Sequence, residues 1–226
     1  MRSSRNALLA GILSWSLLGP PAAAATPATR DQLLAADPTA PERAAAWNQV
    51  LVWDPGTLSA INAGLANPAL DPAMVALSGT PLLIAAPLAA LPYTYATRGA
   101  GPTLELLGTL AAAEAAAGGI GNLLKIGFAR PRPYLADATL RTPAGFEDTA
   151  AFPSGHAAVS FAWATVLALD EPALTIPAFT LASGIVLSRM YNGVHYPSDV
   201  AAGALLGAAA GWAAVAGRKA LWPPGR

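Results

Sequence analysis

The residues able to do chemistry fall in three short stretches. Arg189 to Asp199, Arg-Met-Tyr-Asn-Gly-Val-His-Tyr-Pro-Ser-Asp, places a cation, an imidazole and a carboxylate in an otherwise apolar C-terminal half. Pro153-Ser154-Gly155-His156 holds the other of the chain's 2 histidines. Upstream, Lys125 and Arg132 interrupt a third apolar neighbourhood, and Arg130-Pro131 and Arg132-Pro133 stiffen the turn between them. Together these groups point to one anion-handling site. Arg offers a planar donor fork and Lys a point charge, the usual pairing at phosphate. Taken alone, basic residues closing an apolar helix also serve as interfacial anchors.

Ser154 is a natural N-cap for a helix starting near Ala157, whose free N–H groups attract anions, and Gly155 lets the backbone come close. His156 then stands beside a bound anion, kept protonated and able to act as an acid. The plainer reading is a capping serine followed by an incidental histidine. Asp199 falls about one turn after His195, with Pro197 suited to a first helical turn. A carboxylate there accepts from one ring nitrogen and leaves the other basic, as a nucleophile requires. The plainer role of Asp199 is to complement the helix dipole.

Five apolar segments must position these groups: Met74 to Ala96, Thr103 to Leu124, Ala157 to Leu169, Ala173 to Leu187 and Val200 to Ala216. Spanning a bilayer takes about 20 apolar residues in a helix. The first two reach that length, although one carries Pro81, Pro87 and Pro92 and the other Glu105 and Glu114. Val200 to Ala216 is borderline, and the other two fall short. Gly203, Gly207 and Gly211, at every fourth position, predict a close helix–helix approach. With the N-terminus inside and each segment crossing, Arg2, Arg5, Arg98, Arg218, Lys219 and Arg226 fall on one side. Lys125, Arg132, His156, Arg189 and His195 all fall on the other. The expectation is an integral membrane protein of the cell envelope with its site on the outer, periplasm-like face. A soluble bundle that hides the apolar faces inside itself, released to the periplasm, is the alternative.

Arg2 and Arg5 precede the apolar run Ala7 to Leu18, then Gly19-Pro20-Pro21 and small residues to Ala25. Residues 1–25 therefore read as a signal peptide cut near Ala24 or Ala25, or as an uncleaved anchor helix. Residues 26–45 read as a linker, 46–217 as the functional domain and 218–226 as a basic tail. Between Glu42 and Asn67 one or two short amphipathic helices are expected, broken at Asp54-Pro55-Gly56 and at Asn67-Pro68. Trp47 and Trp53 suit either a membrane interface or a core.

Composition bounds the rest. The 226 residues suit one domain, with 54% hydrophobic and only 12% charged. Zero net charge gives no reason to expect nucleic acid as a partner. Without cysteine there is no disulfide or thiolate site, and no metal-ligand spacing is visible. Ala, Gly and Leu dominate, so the fold class is all-α. Oligomeric state is not legible.

The three stretches closely resemble the signature of the type 2 phosphatidic acid phosphatase and vanadium haloperoxidase superfamily. That signature is Lys-six residues-Arg-Pro, Pro-Ser-Gly-His, and Ser-Arg-five residues-His-three residues-Asp. Here it is Lys125 with Arg132-Pro133, Pro153 to His156, and Ser188-Arg189 with His195 and Asp199, spread over a region of resemblance from residue 46 to 217. The resemblance implies a helical bundle and a phosphatase needing no metal or other cofactor. His195 would attack phosphorus and become a phosphohistidine, oriented by Asp199. His156 would protonate the departing oxygen and then help water attack. Lys125, Arg132 and Arg189 would hold the equatorial oxygens, with Ser154 and the Gly155 N–H completing the cage. Arg130 and Tyr134 would be rim or structural residues. The substrate implied is a phosphomonoester or diphosphate, a lipid phosphate if the protein is membrane-bound, and specificity would come from the 134–152 loop and from the surfaces of the apolar segments. A soluble non-specific acid phosphatase, a vanadate-dependent haloperoxidase and a non-catalytic lipid- or phosphate-binding protein are the rivals.

Overall fold

The computed structural model describes residues 28–221. The expected signal or anchor segment, residues 1–25, and the last residues of the basic tail lie outside the described residues. The chain forms α1 (Arg30–Ala36), α2 (Ala40–Val50), α3 (Trp53–Gly64), α4 (Asp71–Leu77), α5 (Thr80–Leu88), α6 (Leu91–Arg98), α7 (Ala100–Phe128), α8 (Pro133–Ala136), α9 (Gly155–Asp170), α10 (Thr175–Tyr191) and α11 (Pro197–Leu221). A 3-10 turn at Pro172–Leu174 leads into α10, and no strand occurs among the described residues. The all-α expectation holds.

The N-terminal part is more ordered than the sequence implies. Residues 26–45, expected as a linker, contain α1 and half of α2. A capping box starts α1: the Thr29 hydroxyl accepts from the Gln32 N–H at 3.3 Å and the Gln32 side chain accepts from the Thr29 N–H at 2.8 Å. Arg30 then ties α1 to α8 by donating to the carbonyls of Tyr134 (2.7 Å) and Leu135 (3.3 Å). Asp54-Pro55-Gly56 does not break a helix but opens α3, because a proline in the first turn lacks only an N–H that has no helical partner there. The break falls before it, at Leu51 and Val52, and the second expected break, at Asn67-Pro68, separates α3 from α4.

The spans also differ from the expectation. Met74 to Ala96 is divided among α4, α5 and α6, with Pro81 and Pro92 at helix starts and a 65° bend between Asp71–Leu77 and Thr80–Arg98. Among the described residues, the helices long and apolar enough to cross a membrane are Pro172–Tyr191 and Pro197–Leu221, with the bent pair as a third if it counts as one. Both extend beyond their apolar runs by taking in polar ends such as Ser188-Arg189 and Pro197-Ser198-Asp199. The 29-residue α7 is long enough but is diluted by Glu105, Glu114 and the glycines at 108, 118, 119 and 121. Only 28% and 33% of the residues in the two apolar windows are buried: each helix sets one side against the core and turns some apolar residues outward on the other. Ile176, Leu205, Trp212 and Leu221 lie there fully or largely exposed.

The short α9 is the axis of the bundle and packs against α7, α10 and α11. Being apolar nearly all round suits it to that central place. Ala158, Ala162, Trp163 and Val166 of α9 meet Ala113 and Ala117 of α7, Ala182 and Ile185 of α10, and Ala210 and Val215 of α11. The glycine stripe makes the α9–α11 contact possible. A Cβ at Gly207 would lie 2.0 Å from the Ala158 carbonyl oxygen, and one at Gly203 or Gly211 would lie 2.4 or 2.5 Å from those of Ser154 or Ala162. The end of α7, the start of α9, the end of α10 and the start of α11 thereby meet at one end of the bundle. At the other end, Arg98 pairs with Glu171 (2.9 Å) and Arg218 with Asp170 (2.6 Å).

Candidate active site

Lys125 lies in the last turn of α7. The helix ends at Ala129, in a left-handed turn (φ 44°) whose N–H donates to the Lys125 carbonyl. The Lys125 ammonium donates to the Ala150 carbonyl, and burial, helped by Arg132, lowers its pKa to about 7. Arg132 is nearly fully buried. Its Nε donates to Thr149 O (2.8 Å), and Nη1 to Val194 O (2.8 Å) and the His195 Nε2 (2.8 Å). Arg189 enters from the last turn of α10, and its Nη1 donates to the Ser78 hydroxyl (2.5 Å) and carbonyl (3.1 Å). The three expected cations converge.

Ser154 caps α9 as expected: its hydroxyl accepts from the Ala157 N–H, and its own N–H donates to the Asp199 carbonyl at 2.9 Å. Gly155 is the first residue of α9. His156, one residue further, faces the charges of Arg189, Glu147 and Arg132. Burial first, then Arg189, lowers its pKa to about 3, and its Nε2 has no partner among the described residues. These surroundings by themselves favour neutral His156, whereas the protonated form is the one expected beside a bound anion.

His195 is brought in by the turn after α10. Gly193 makes that turn with φ 65°, and a Cβ there would lie 2.5 Å from the Arg141 carbonyl, so a side chain is excluded twice over. Because a guanidinium only donates, the His195 Nε2 facing Arg132 is an acceptor and the ring proton sits on Nδ1. Nδ1 points at Asp199 Oδ2 from 3.5 Å, a facing pair longer than a hydrogen bond. Burial, then Arg132 and Arg189, holds the His195 pKa well below its ordinary value. Of the two roles weighed for Asp199, Oδ2 takes up the one at the helix start, accepting from the Tyr196 N–H (2.9 Å) before α11, while towards the imidazole it faces Nδ1 without a hydrogen bond.

Three further residues complete the site. Glu147 lies between the arginines: its carboxylate accepts from Arg132 Nη2 at 2.5 Å and from Arg189 Nη2. Burial favours its protonated form, but Arg132 and Arg189 outweigh that and hold its pKa well below the carboxylate range. Tyr134 fixes the Glu147 backbone, accepting from its N–H (2.9 Å) and donating to its carbonyl (2.5 Å). Arg130, expected as a rim or structural residue, is fully buried between Asp199 and Asp54. Nothing in the sequence sets Glu147 apart from its neighbour Asp148, and Asp54 lies in α3, 76 residues before Arg130. Their pairing was legible only in three dimensions.

A family model described as the PAP2 superfamily matches residues 105–223. The lipid A 1-phosphatase of Porphyromonas gingivalis is 36% identical over 94 residues, 40% of this chain and 19% of that protein. The chain spans less than half the length of the curated relatives it matches. Among solved structures, Aquifex aeolicus LpxE aligns with a TM-score of 0.61 at 27% identity, covering 73% of this chain and 95% of that one. A transmembrane PAP2-type phosphatidylglycerolphosphate phosphatase from Bacillus subtilis aligns with a TM-score of 0.61 at 22% identity, covering 88% and 99%, and shares the fold. All three signature stretches lie within the matched region and meet at one end of the same helical bundle, so the chain belongs to the PAP2 superfamily.

Proposed function

We propose that the chain is a membrane phosphatase that removes a phosphoryl group from a lipid phosphate or diphosphate through a phosphohistidine on His195. The observation that carries this reading is the convergence of Lys125, Arg132 and Arg189 around an imidazole whose far nitrogen faces a buried carboxylate. Phosphoryl transfer asks mainly for positioning and charge neutralisation, and this arrangement supplies both.

The substrate phosphate takes the place between Arg132 and Arg189 that the Glu147 carboxylate fills, and Lys125 and the first N–H groups of α9 close the cage. As Arg132 turns to the phosphate it frees the His195 Nε2. That nitrogen attacks phosphorus, the bond to the leaving oxygen breaks, and the positive charge on the ring is offset by Asp199 facing Nδ1. The leaving oxygen takes a proton from His156. A phosphate dianion beside His156 opposes the pull of Arg189 and Arg132 and so raises its pKa towards the working range. In the second half, His156 accepts a proton from water as the water attacks phosphorus, and the His195–phosphorus bond breaks to release phosphate.

A lipid substrate is supported by the setting of the cage: Leu123, Ile126 and Phe128 are exposed on the turn of α7 that carries Lys125. The names of the relatives, lipid A 1-phosphatase among them, point to the same class. The site is assigned to the outer face, since Arg98, Arg218 and Lys219 lie towards the opposite end of the bundle.

The test is a panel of substrates offered to the full chain in detergent, comparing a lipid phosphate and a lipid diphosphate with a water-soluble ester. Hydrolysis is expected to survive EDTA, to be blocked by vanadate and to favour the lipids. Loss of activity in EDTA with recovery on adding Mg²⁺ or Zn²⁺ overturns the mechanism.

A further inference from the structure

We propose that Asp54 and Arg130 are positioning residues for this reaction: the Arg130 guanidinium, clamped between Asp54 and Asp199, fixes both the place and the effective charge of the carboxylate behind His195. The inference rests on the phosphatase reading and adds to it two residues that the signature motifs do not contain.

The geometry is a closed chain of buried charge. Arg130 Nη1 donates to Asp199 Oδ1 (2.7 Å) and to the Ser198 hydroxyl (2.7 Å), and Nη2 donates to Asp54 Oδ2 (2.9 Å). Asp54 also accepts from the Ser198 N–H at 2.9 Å and from the Ser198 hydroxyl. The side chains of Asp54, Arg130 and Asp199 are all 0% exposed. Two aromatic faces cover the guanidinium, with its carbon 4.0 Å from the Tyr196 ring centre and 5.0 Å from that of Trp47. Water is therefore kept from the cluster, where charges act on one another most strongly.

The charges in this row explain its use. Asp199 has one oxygen towards His195 and the other on Arg130. If Arg130 answered to Asp199 alone, the pair would be neutral, and the carboxylate would do little to offset positive charge arriving on the imidazole. Asp54 shares the guanidinium, so the Asp54–Arg130–Asp199 row keeps one net negative charge beside His195. The cage brings Lys125, Arg132 and Arg189 to the other side of the same ring. Against three cations, a neutralised Asp199 leaves His195 a poor nucleophile. A purely structural ion pair needs no second carboxylate. The second carboxylate here also reaches the backbone of Ser198, the residue next to Asp199, which sets the register of the first turn of α11.

The experiment compares wild type, Asp54→Asn, Arg130→Gln and the double variant as full chains in detergent. For each it measures the single-turnover rate of phosphoenzyme formation, the inhibition constant for vanadate and the melting temperature. Asp54→Asn keeps the shape and can still accept from Ser198. It is expected to slow phosphoenzyme formation about tenfold or more while vanadate inhibition stays within about twofold, because the cage is untouched. Arg130→Gln leaves two buried carboxylates facing each other and is expected to be worse. Removing the second carboxylate as well should restore at least part of the rate, so the double variant should react faster than Arg130→Gln. Unchanged phosphorylation in Asp54→Asn, an equal loss of vanadate binding, or a double variant no faster than Arg130→Gln overturns the proposal. If Arg130→Gln does not accumulate as folded protein, the split between rate and vanadate binding in Asp54→Asn decides alone. Failure of the wild type to form a phosphoenzyme tells against the phosphatase reading instead, so the two failures are distinct.

Discussion

Glu147→Gln tests how the cage admits its substrate. The Glu147 carboxylate spans Arg132 and Arg189, the two forks proposed to hold the phosphate, so on that proposal the anion binds only as this carboxylate leaves. Glutamine keeps the shape and one acceptor oxygen but not the charge. A hydrogen bond to a charged group contributes about 1.5–3 kcal/mol, and Glu147 makes one to each arginine. Its side chain is 33% exposed, so water screens part of that and takes up the carboxylate once it swings out. A net competition of about 1–2 kcal/mol follows, which corresponds to a factor of about 5–30 in apparent anion affinity. The assay is vanadate inhibition of a water-soluble ester at pH 7, with Asp148→Asn, the exposed neighbouring acid, as control. Glu147→Gln is expected to lower the inhibition constant by that factor and Asp148→Asn to leave it unchanged. Mild acid should not mimic the substitution, because the two arginines hold the Glu147 pKa well below the usual range. A Glu147→Gln protein whose vanadate affinity is unchanged or weaker refutes the reasoning, and the carboxylate would then be aligning the arginines instead of competing with phosphate.

Three other outcomes follow. His195→Ala should abolish the acid-labile phosphoenzyme, whereas His156→Ala should slow departure of the leaving group and be partly rescued by an activated ester; equal rescue of both variants contradicts the assignment. Gly207→Ala should lower stability by about 1–3 kcal/mol, since its Cβ meets the Ala158 carbonyl at 2.0 Å, while Gly217→Ala, with nothing within 4 Å, should be near neutral; thermal unfolding in detergent compares them. Lys125 has a folded pKa of about 7 against about 10.4 unfolded, so between those values the unfolded chain binds more protons and stability rises with pH. Phosphate affinity should run the other way and weaken as pH rises through 7, and Lys125→Met should remove both trends, as melting and inhibition titrations can check.

The residues proposed as cage and nucleophile could be picked out in the sequence because each motif is a local device. Ser154 caps the helix that begins at Gly155, Gly193 permits a turn no other residue fits, and Asp199 follows His195 by four positions, in the first turn of the helix that begins at Pro197. The all-α class and the close approach at Gly203, Gly207 and Gly211 followed from composition and from a period of four, which also needs no knowledge of partners. What the tertiary structure decided is everything that depends on which surfaces meet. Glu147 and Asp148 are alike as letters, but only Glu147 is steered between two arginines by the Tyr134 hydroxyl. Arg130 could be read as a rim or a structural cation, and it is a buried one because α3 brings Asp54 against the start of α11. The prolines that open α3, α5 and α6 look like breaks in a linear reading, since a missing N–H disrupts a helix interior and leaves a first turn intact. Whether an apolar run packs on all sides was likewise settled by neighbours: α9 is the most enclosed helix of the four that meet at the site, and α10 and α11 leave Ile176, Leu205 and Trp212 exposed on their outer sides.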